Sequence, residues 1–169
     1  ITAMRAHLDD ADLEVAAKYE RRFRHDVMAH VHAFGDQAVA ARPFIHLGAT
    51  SAFVADNADL VVMREGLRLV LGRLVALLSE LDTFAIRYAT VPCLAYTHFQ
   101  PAQVTTVGKR AAMCCYDFVR DLEEIECRIA RLRFRGIRGA TGTQASFLDL
   151  FGGDLAKVHR LEAFVARRF

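Results

Sequence analysis

The chain has 169 residues, 53% of them apolar and 25% charged, with 22 basic against 20 acidic side chains. That length fits one domain with a core of its own, and the balanced charge, three prolines and ten glycines exclude disordered or collagen-like sequence. No stretch approaches the roughly 18–20 uncharged apolar residues of a membrane span, and a net charge of +2 argues against a nucleic-acid binder.

In chain order the pattern is helical almost throughout. Residues 1 to about 8 form a short opening segment; the chain starts on Ile1, without a basic-then-apolar leader, and reads as not beginning at a native start. Asp9, Asp10 and Asp12 then form a turn and N-cap cluster. From Leu13 to Phe34 apolar residues recur at helical spacing, and Gly35 reads as the stop. The spacing leaves open a break near Arg24–Asp26. Residues 36–53, with Pro43, Gly48 and the Thr50-Ser51 pair, read as a connecting loop and a helix start.

The longest element runs from about Ala52 to Ala89. Its apolar residues, Leu60 through Phe84, nearly encircle it, as expected for a helix buried against several neighbours. At about 1.5 Å per residue it exceeds what a small domain needs, and suggests a bundle shared between subunits. Pro92 and Pro101 bracket a non-helical stretch with Thr97, His98, Phe99 and Gln100. A second long helix follows from about Val104 to Phe134, then a loop punctuated by Gly136, Gly139 and Gly142, and a last helix starts near Asp154. Arg131, Arg133, Arg135 and Arg138 read as a solvated helix end. The fold class is all-α.

Four cysteines, at 93, 114, 115 and 127, match no zinc framework and read as free thiols of a reducing compartment. His25 and His30 are five residues apart, whereas zinc-binding helices favour H-x-x-x-H, so His25, His30 and His32 do not read as a metal set. His7 and His159 receive no role. No phosphate-binding or dinucleotide glycine pattern is present, and no cofactor is indicated.

Gly48-Ala49-Thr50-Ser51 precedes a helix, with Ser51 as N-cap and Gly48 for the turn. The same arrangement offers helix N–H groups and two hydroxyls to a carboxylate or phosphate, and spacing alone weighs the two roles evenly. His98 is the stronger candidate. It sits beside Thr97 and Gln100 in a loop between two prolines, and a histidine on a fixed loop suits general acid–base work near neutral pH.

Taken together and in order, these clusters resemble the fumarase/aspartase superfamily of lyases and, within it, the adenylosuccinate lyase family. The matching segments begin with Arg24-His25-Asp26-Val27-Met28-Ala29-His30-Val31-His32 and Ile45-His46-Leu47-Gly48-Ala49-Thr50-Ser51, with Asp56-Asn57. They continue through Thr97-His98-Phe99-Gln100-Pro101-Ala102-Gln103, Thr105 to Arg110, Arg133-Phe134-Arg135-Gly136, and Gly142 to Phe147. Pro101 favours this branch over fumarases, which carry an aspartate there.

The resemblance implies an all-α long-helix bundle, incomplete in this chain. Residues 1 to about 50 would end an N-terminal helical domain, and about 51–169 would start the central bundle. It implies elimination of fumarate from an N-succinyl purine nucleotide, without cofactor or metal. His98 would be the general acid, and Thr50 and Ser51 would hold the succinyl carboxylates. Arg24, His25 and Asp26 would contact the nucleotide, with Thr97 also at the substrate, His25 assisting catalysis and His46 a weaker candidate. The family's serine-bearing G-S-S-x-M-P-x-K-x-N-P type loop is nowhere in these 169 residues. Since each family site draws on three subunits of a cytoplasmic homotetramer, this N-terminal-to-central portion would be inactive alone. Two other readings stay open: another superfamily lyase, of the argininosuccinate lyase or cycloisomerase kind, and a non-catalytic helical assembly module.

Overall fold

The computed structural model describes residues 1–169. The chain divides into two compact units, one of residues 1–61 with 133–169 and one of residues 62–132.

The first unit opens with the short helix α1 (Thr2–Arg5), then α2 (Leu13–Phe23) and α3 (Asp26–Gln37). Asp12 starts α2 by accepting the Val15 N–H at 2.9 Å, the usual role of a short acidic side chain at a helix entrance. The break left open by the spacing is real. Arg24 adopts a left-handed conformation (φ 52°, ψ 42°), which ends α2 and lets α3 fold back on it. Small residues permit the approach, since Ala16, Ala29 and Ala33 are buried. Tyr19, Phe23 and His32 close one side as a ring cluster with centroids 4.8–5.4 Å apart, so His32 is a packing residue.

Gly35 does not stop the helix. It lies buried inside α3, where an added Cβ would meet the Arg42 side chain at 3.0 Å. A 3₁₀ turn (Val39–Ala41) leads to the long helix α4 (Ser51–Arg87), whose beginning belongs to the first unit and whose remainder belongs to the second.

Two further helices complete the first unit: α6 (Ala145–Leu150), unforeseen in the glycine-rich loop, and α7 (Leu155–Ala166), capped by Asp154. Ile137, Phe147 and Val158 form its core, with Ala49, Phe53, Phe134, Leu161 and Val165 packed around them. Each such large apolar side chain contributes about 1.5–3 kcal/mol when buried. Of the arginine run only Arg131 is helical, as the last residue of α5, and Arg133 to Arg138 lie in an irregular segment beyond it.

The second unit holds most of α4, a hairpin of β1 (Pro92–Thr97) and β2 (Gln100–Thr106), and α5 (Val107–Arg131). The spacing predicts a non-helical stretch bracketed by Pro92 and Pro101 and a second long helix from about Val104 to Phe134. Val104 instead pairs with Leu94, and Thr106 caps α5 by accepting the Lys109 N–H at 3.1 Å. The α4–β1 junction meets α5 closely at Gly108, whose N–H donates to the Tyr88 carbonyl at 2.9 Å. Cys93, Cys115 and Cys127 are half-buried, Cys114 is exposed, and all four are free thiols.

The expected burial of α4 is not supplied within this chain. Leu69 is 66% exposed and Ile86 69%, with Val62, Val70 and Val75 also open. At 37 residues the helix runs about 55 Å, more than the neighbouring elements of one 169-residue chain can cover. No helix is long and apolar enough to cross a membrane.

Candidate active site

The candidate residues fall into both units. The first unit gathers Arg24, His25, Asp26, His46, Thr50 and Ser51; the second carries Thr97 and His98.

In the first unit, the reversal at Arg24 sets His25 in an extended conformation (φ −149°, ψ 111°) at the start of α3. Its ring does what a short capping side chain does elsewhere: Nδ1 accepts the Met28 N–H at 3.4 Å. The Asp26 carboxylate stands 3.4 Å from the same nitrogen. The other ring nitrogen, Nε2, lies 3.1 Å from the Ser51 hydroxyl. Two segments separated by 26 positions in sequence thus meet at one imidazole.

The turn before α4 is built on Gly48 (φ 71°), where an added Cβ would strike Phe147 and Leu150 at 3.0 Å. Ser146 at the start of α6 fastens it by donating to the Gly48 carbonyl at 2.8 Å. Ser51 is not the N-cap. The Thr50 carbonyl accepts from Phe53 and Val54 (3.1 and 3.4 Å), which makes Thr50 the cap and Ser51 the first helical residue. The Ser51 side chain is engaged elsewhere, its oxygen 3.1 Å from His25 Nε2, 26 residues earlier in the chain. Two half-buried hydroxyls therefore stand at a helix entrance, whose first N–H groups have no intrahelical partner. Such an entrance suits an anionic group. His46 is half-buried, and it takes part in this turn through its carbonyl, which accepts the Ala49 N–H at 3.2 Å.

Sequence reasoning gave Asn57 and Arg135 no role, yet they hold this helix start. Asn57 is 2% exposed. Its Oδ1 accepts the Arg135 N–H at 2.9 Å, and its Nδ2 donates to the Phe53 carbonyl at 2.7 Å and the Gly136 carbonyl at 3.4 Å. The Arg135 guanidinium lies 3.9 Å from Asp56, and that of Arg138 lies 3.5 Å from Glu162. Asp56, Arg135 and Arg138, with Ala52, Phe53 and Gly139, line a hollow beside the first turns of α4. The available signal was a lone amide on an otherwise apolar helical face, four residues after Phe53.

In the second unit, Thr97 pairs with Gln100, which leaves His98 and Phe99 as a two-residue turn with φ of 49° and 62°. Both values are left-handed, as in the turns that ordinarily take Asn-Gly. Neither residue is glycine, so each costs about 1–2 kcal/mol of backbone strain. A bulge sits just below the tip, with Ala102 and Gln103 opposite Ala95, and it increases the local twist of the ribbon. The result presents His98 on an exposed, short-looped tip with Phe99 fully exposed beside it (104%). Strain of this kind persists only where the surrounding structure over-determines the backbone.

A family model described as Lyase matches residues 3–149. The chain is 47% identical over 169 residues to adenylosuccinate lyase of Schizosaccharomyces pombe, and 45% identical over 169 residues to adenylosuccinate lyase of Schistosoma mansoni. Both alignments take in 99% of this chain and 35% of the relative, so the chain spans about a third of the length of the curated relatives it matches. Among solved structures, a fumarate lyase from Mesorhizobium sp. BNC1 superimposes with a TM-score of 0.76 at 25% identity, over 86% of this chain and 35% of that one. From its paired long helices to its ordered polar clusters, the chain belongs to the lyase family of that model.

Proposed function

We propose that the chain is the N-terminal-to-central portion of an adenylosuccinate lyase. The enzyme eliminates fumarate from adenylosuccinate to give AMP, and from the succinyl-carboxamide ribotide of purine biosynthesis in the same way. The observation that carries the reading is the 45–47% identity to adenylosuccinate lyases along 99% of the chain. The strained His98 turn and the paired hydroxyls at the α4 entrance support it.

In the elimination a base takes a proton from the carbon beside a succinyl carboxylate, and its electron pair is held as an aci-carboxylate. The C–N bond then breaks, the carbon–carbon double bond of fumarate forms, and an acid protonates the departing nitrogen. His98 is that acid, with Thr97 beside it at the substrate. Thr50 and Ser51 hold succinyl carboxylate oxygens, and the positive end of α4 offsets charge as it grows. Arg24, His25 and Asp26 contact the nucleotide. The base is a serine from a loop outside these 169 residues.

The same proposal divides the protein near residue 50, between an N-terminal helical domain and the central bundle. It makes the assembly a cytoplasmic homotetramer, in which other subunits cover the apolar faces of α4. The test is the product of the complete encoding frame, purified and assayed for fumarate release. Adenylosuccinate is expected to be cleaved, and His98→Gln should lower kcat by about 10²–10⁴-fold with the fold intact. Cleavage of argininosuccinate in its place would assign the chain to another branch, and unchanged turnover in the His98 variant would remove that residue from the mechanism.

A further inference from the structure

Both nitrogens of the His25 ring, although the side chain is exposed, already face groups of this chain. Nδ1 faces the Met28 N–H at 3.4 Å and the Asp26 carboxylate at 3.4 Å, and Nε2 faces the Ser51 hydroxyl at 3.1 Å. A backbone N–H can only donate, so in the neutral ring Nδ1 accepts and the single ring proton resides on Nε2. That proton is given to the Ser51 oxygen. The Ser51 hydroxyl, now an acceptor from His25, keeps its own hydrogen free to donate elsewhere.

We infer that His25 is a positioning residue: it fixes Ser51 as a hydrogen-bond donor toward a carboxylate and does not itself deliver a proton to substrate. The inference rests on the reading that Thr50 and Ser51 hold a succinyl carboxylate. A free serine hydroxyl is as ready to accept as to donate, and only the donating rotamer attracts an anion. Because His25 occupies the serine oxygen with a hydrogen, the donating rotamer is selected before the ligand arrives. Preorganised donors of this kind avoid reorganisation during the reaction. The Asp26 carboxylate, 3.4 Å from Nδ1, makes no hydrogen bond to that lone pair in this tautomer, so the ring is held by the Met28 N–H and by Ser51.

Two side chains separate this role from its alternatives. Asparagine is a good N-cap, so His25→Asn preserves the start of α3 while withdrawing the group that reaches Ser51. Glutamine is long enough to return an amide N–H to Ser51. Measured in the complete polypeptide that carries this chain, His25→Asn is expected to lower kcat for adenylosuccinate about 10–100-fold with an unchanged melting temperature. His25→Gln should recover most of that loss. In a Ser51→Ala background, His25→Asn should cost nothing further, since the group it acts through is gone.

A histidine acting directly as an acid predicts the opposite: His25→Gln as damaged as His25→Asn, and the full loss retained beside Ser51→Ala. Either result overturns the inference. A parent enzyme that releases no fumarate would refute the functional reading alone. The inference is then decided by ¹⁵N NMR of the histidine ring, in which the Nε2–H tautomer is expected and the Nδ1–H tautomer would overturn it.

Discussion

Replacing Asn57 by leucine removes the amide that joins the start of α4 to the 133–138 segment. The Phe53 carbonyl loses little, because it also serves as the helical acceptor four residues before the Asn57 N–H. The Gly136 contact, at 3.4 Å, is long and contributes less than a normal bond. The Arg135 N–H is the main loss: it gives up a 2.9 Å bond in a part-buried place where leucine offers no acceptor. A stranded donor of this kind costs about 1–3 kcal/mol, and the altered shape at a site only 2% exposed adds about 1 kcal/mol. At about 2–4 °C per kcal/mol for a chain of this length, Asn57→Leu should lower Tm by about 5–15 °C. Thermal unfolding followed by far-UV circular dichroism measures the shift, and faster hydrogen exchange at the Arg135 amide locates it. Asn57→Asp restores the acceptor but turns a carboxylate toward the Phe53 and Gly136 carbonyls, so near neutral pH it should be at least as damaging. A leucine variant melting within about 1 °C of the parent, with Arg135 exchange unchanged, would refute the reasoning.

Gly108→Ala should lower Tm by about 5–10 °C, because the new methyl group would press on the Ala85 carbonyl and come within 2.6 Å of Ala89 backbone, neither of which can rotate away. Phe99→Gly should raise Tm by about 2–4 °C by relieving one left-handed residue of the hairpin turn; an unchanged Tm would mean that the turn is not strained. The Lys157 N–H bond holds the Asp154 carboxyl below its ordinary range. A depressed folded pKa contributes stability that is present above the unfolded value, about 3.9, and is lost as pH falls through the folded one. Asp154→Asn, which keeps a capping side chain but cannot titrate, should therefore flatten the acid limb of Tm against pH. Tyr19 shows the reverse sign. Its hydroxyl donates to Asp36 at 2.7 Å, which raises its pKa, so its contribution is present below about pH 10 and is lost as pH rises through the folded value. Tyr19→Phe should flatten the alkaline limb.

The long helices were readable because their evidence is local. Apolar spacing from Leu60 to Phe84 and the caps Asp12 and Asp154 each act within a few residues, and all survive in the structure. The errors share a different cause. Gly35 has every local mark of a helix stop, yet α3 continues through it to Gln37, with the Arg42 side chain packed where a Cβ would sit. The hairpin was hidden because Pro92 and Pro101 argue against strands and His98-Phe99 is no ordinary turn pair. A two-stranded ribbon has only edges, where proline is tolerated, so those objections lose their force.

The site divides along the same line. Its residues were readable as clusters, while their roles were not, because each role is set by a partner far along the chain. Ser51 was placed as an N-cap from its position before the helix, and it lost that place to Thr50 while its side chain is engaged by His25, 26 residues earlier. Asn57 lies in the matching Asp56-Asn57 pair, but nothing local tells what it holds, since its partner Arg135 is 78 residues away. Local rules fail most sharply at Arg24, His98 and Phe99, three non-glycine residues held in left-handed conformations. All three fall inside the segments that resemble the lyases, and none falls in the caps and helix faces that local rules placed correctly. Arg24 ends α2 in that conformation, and the hairpin register forces it on His98 and Phe99, so at all three the backbone is set by its surroundings against local propensity.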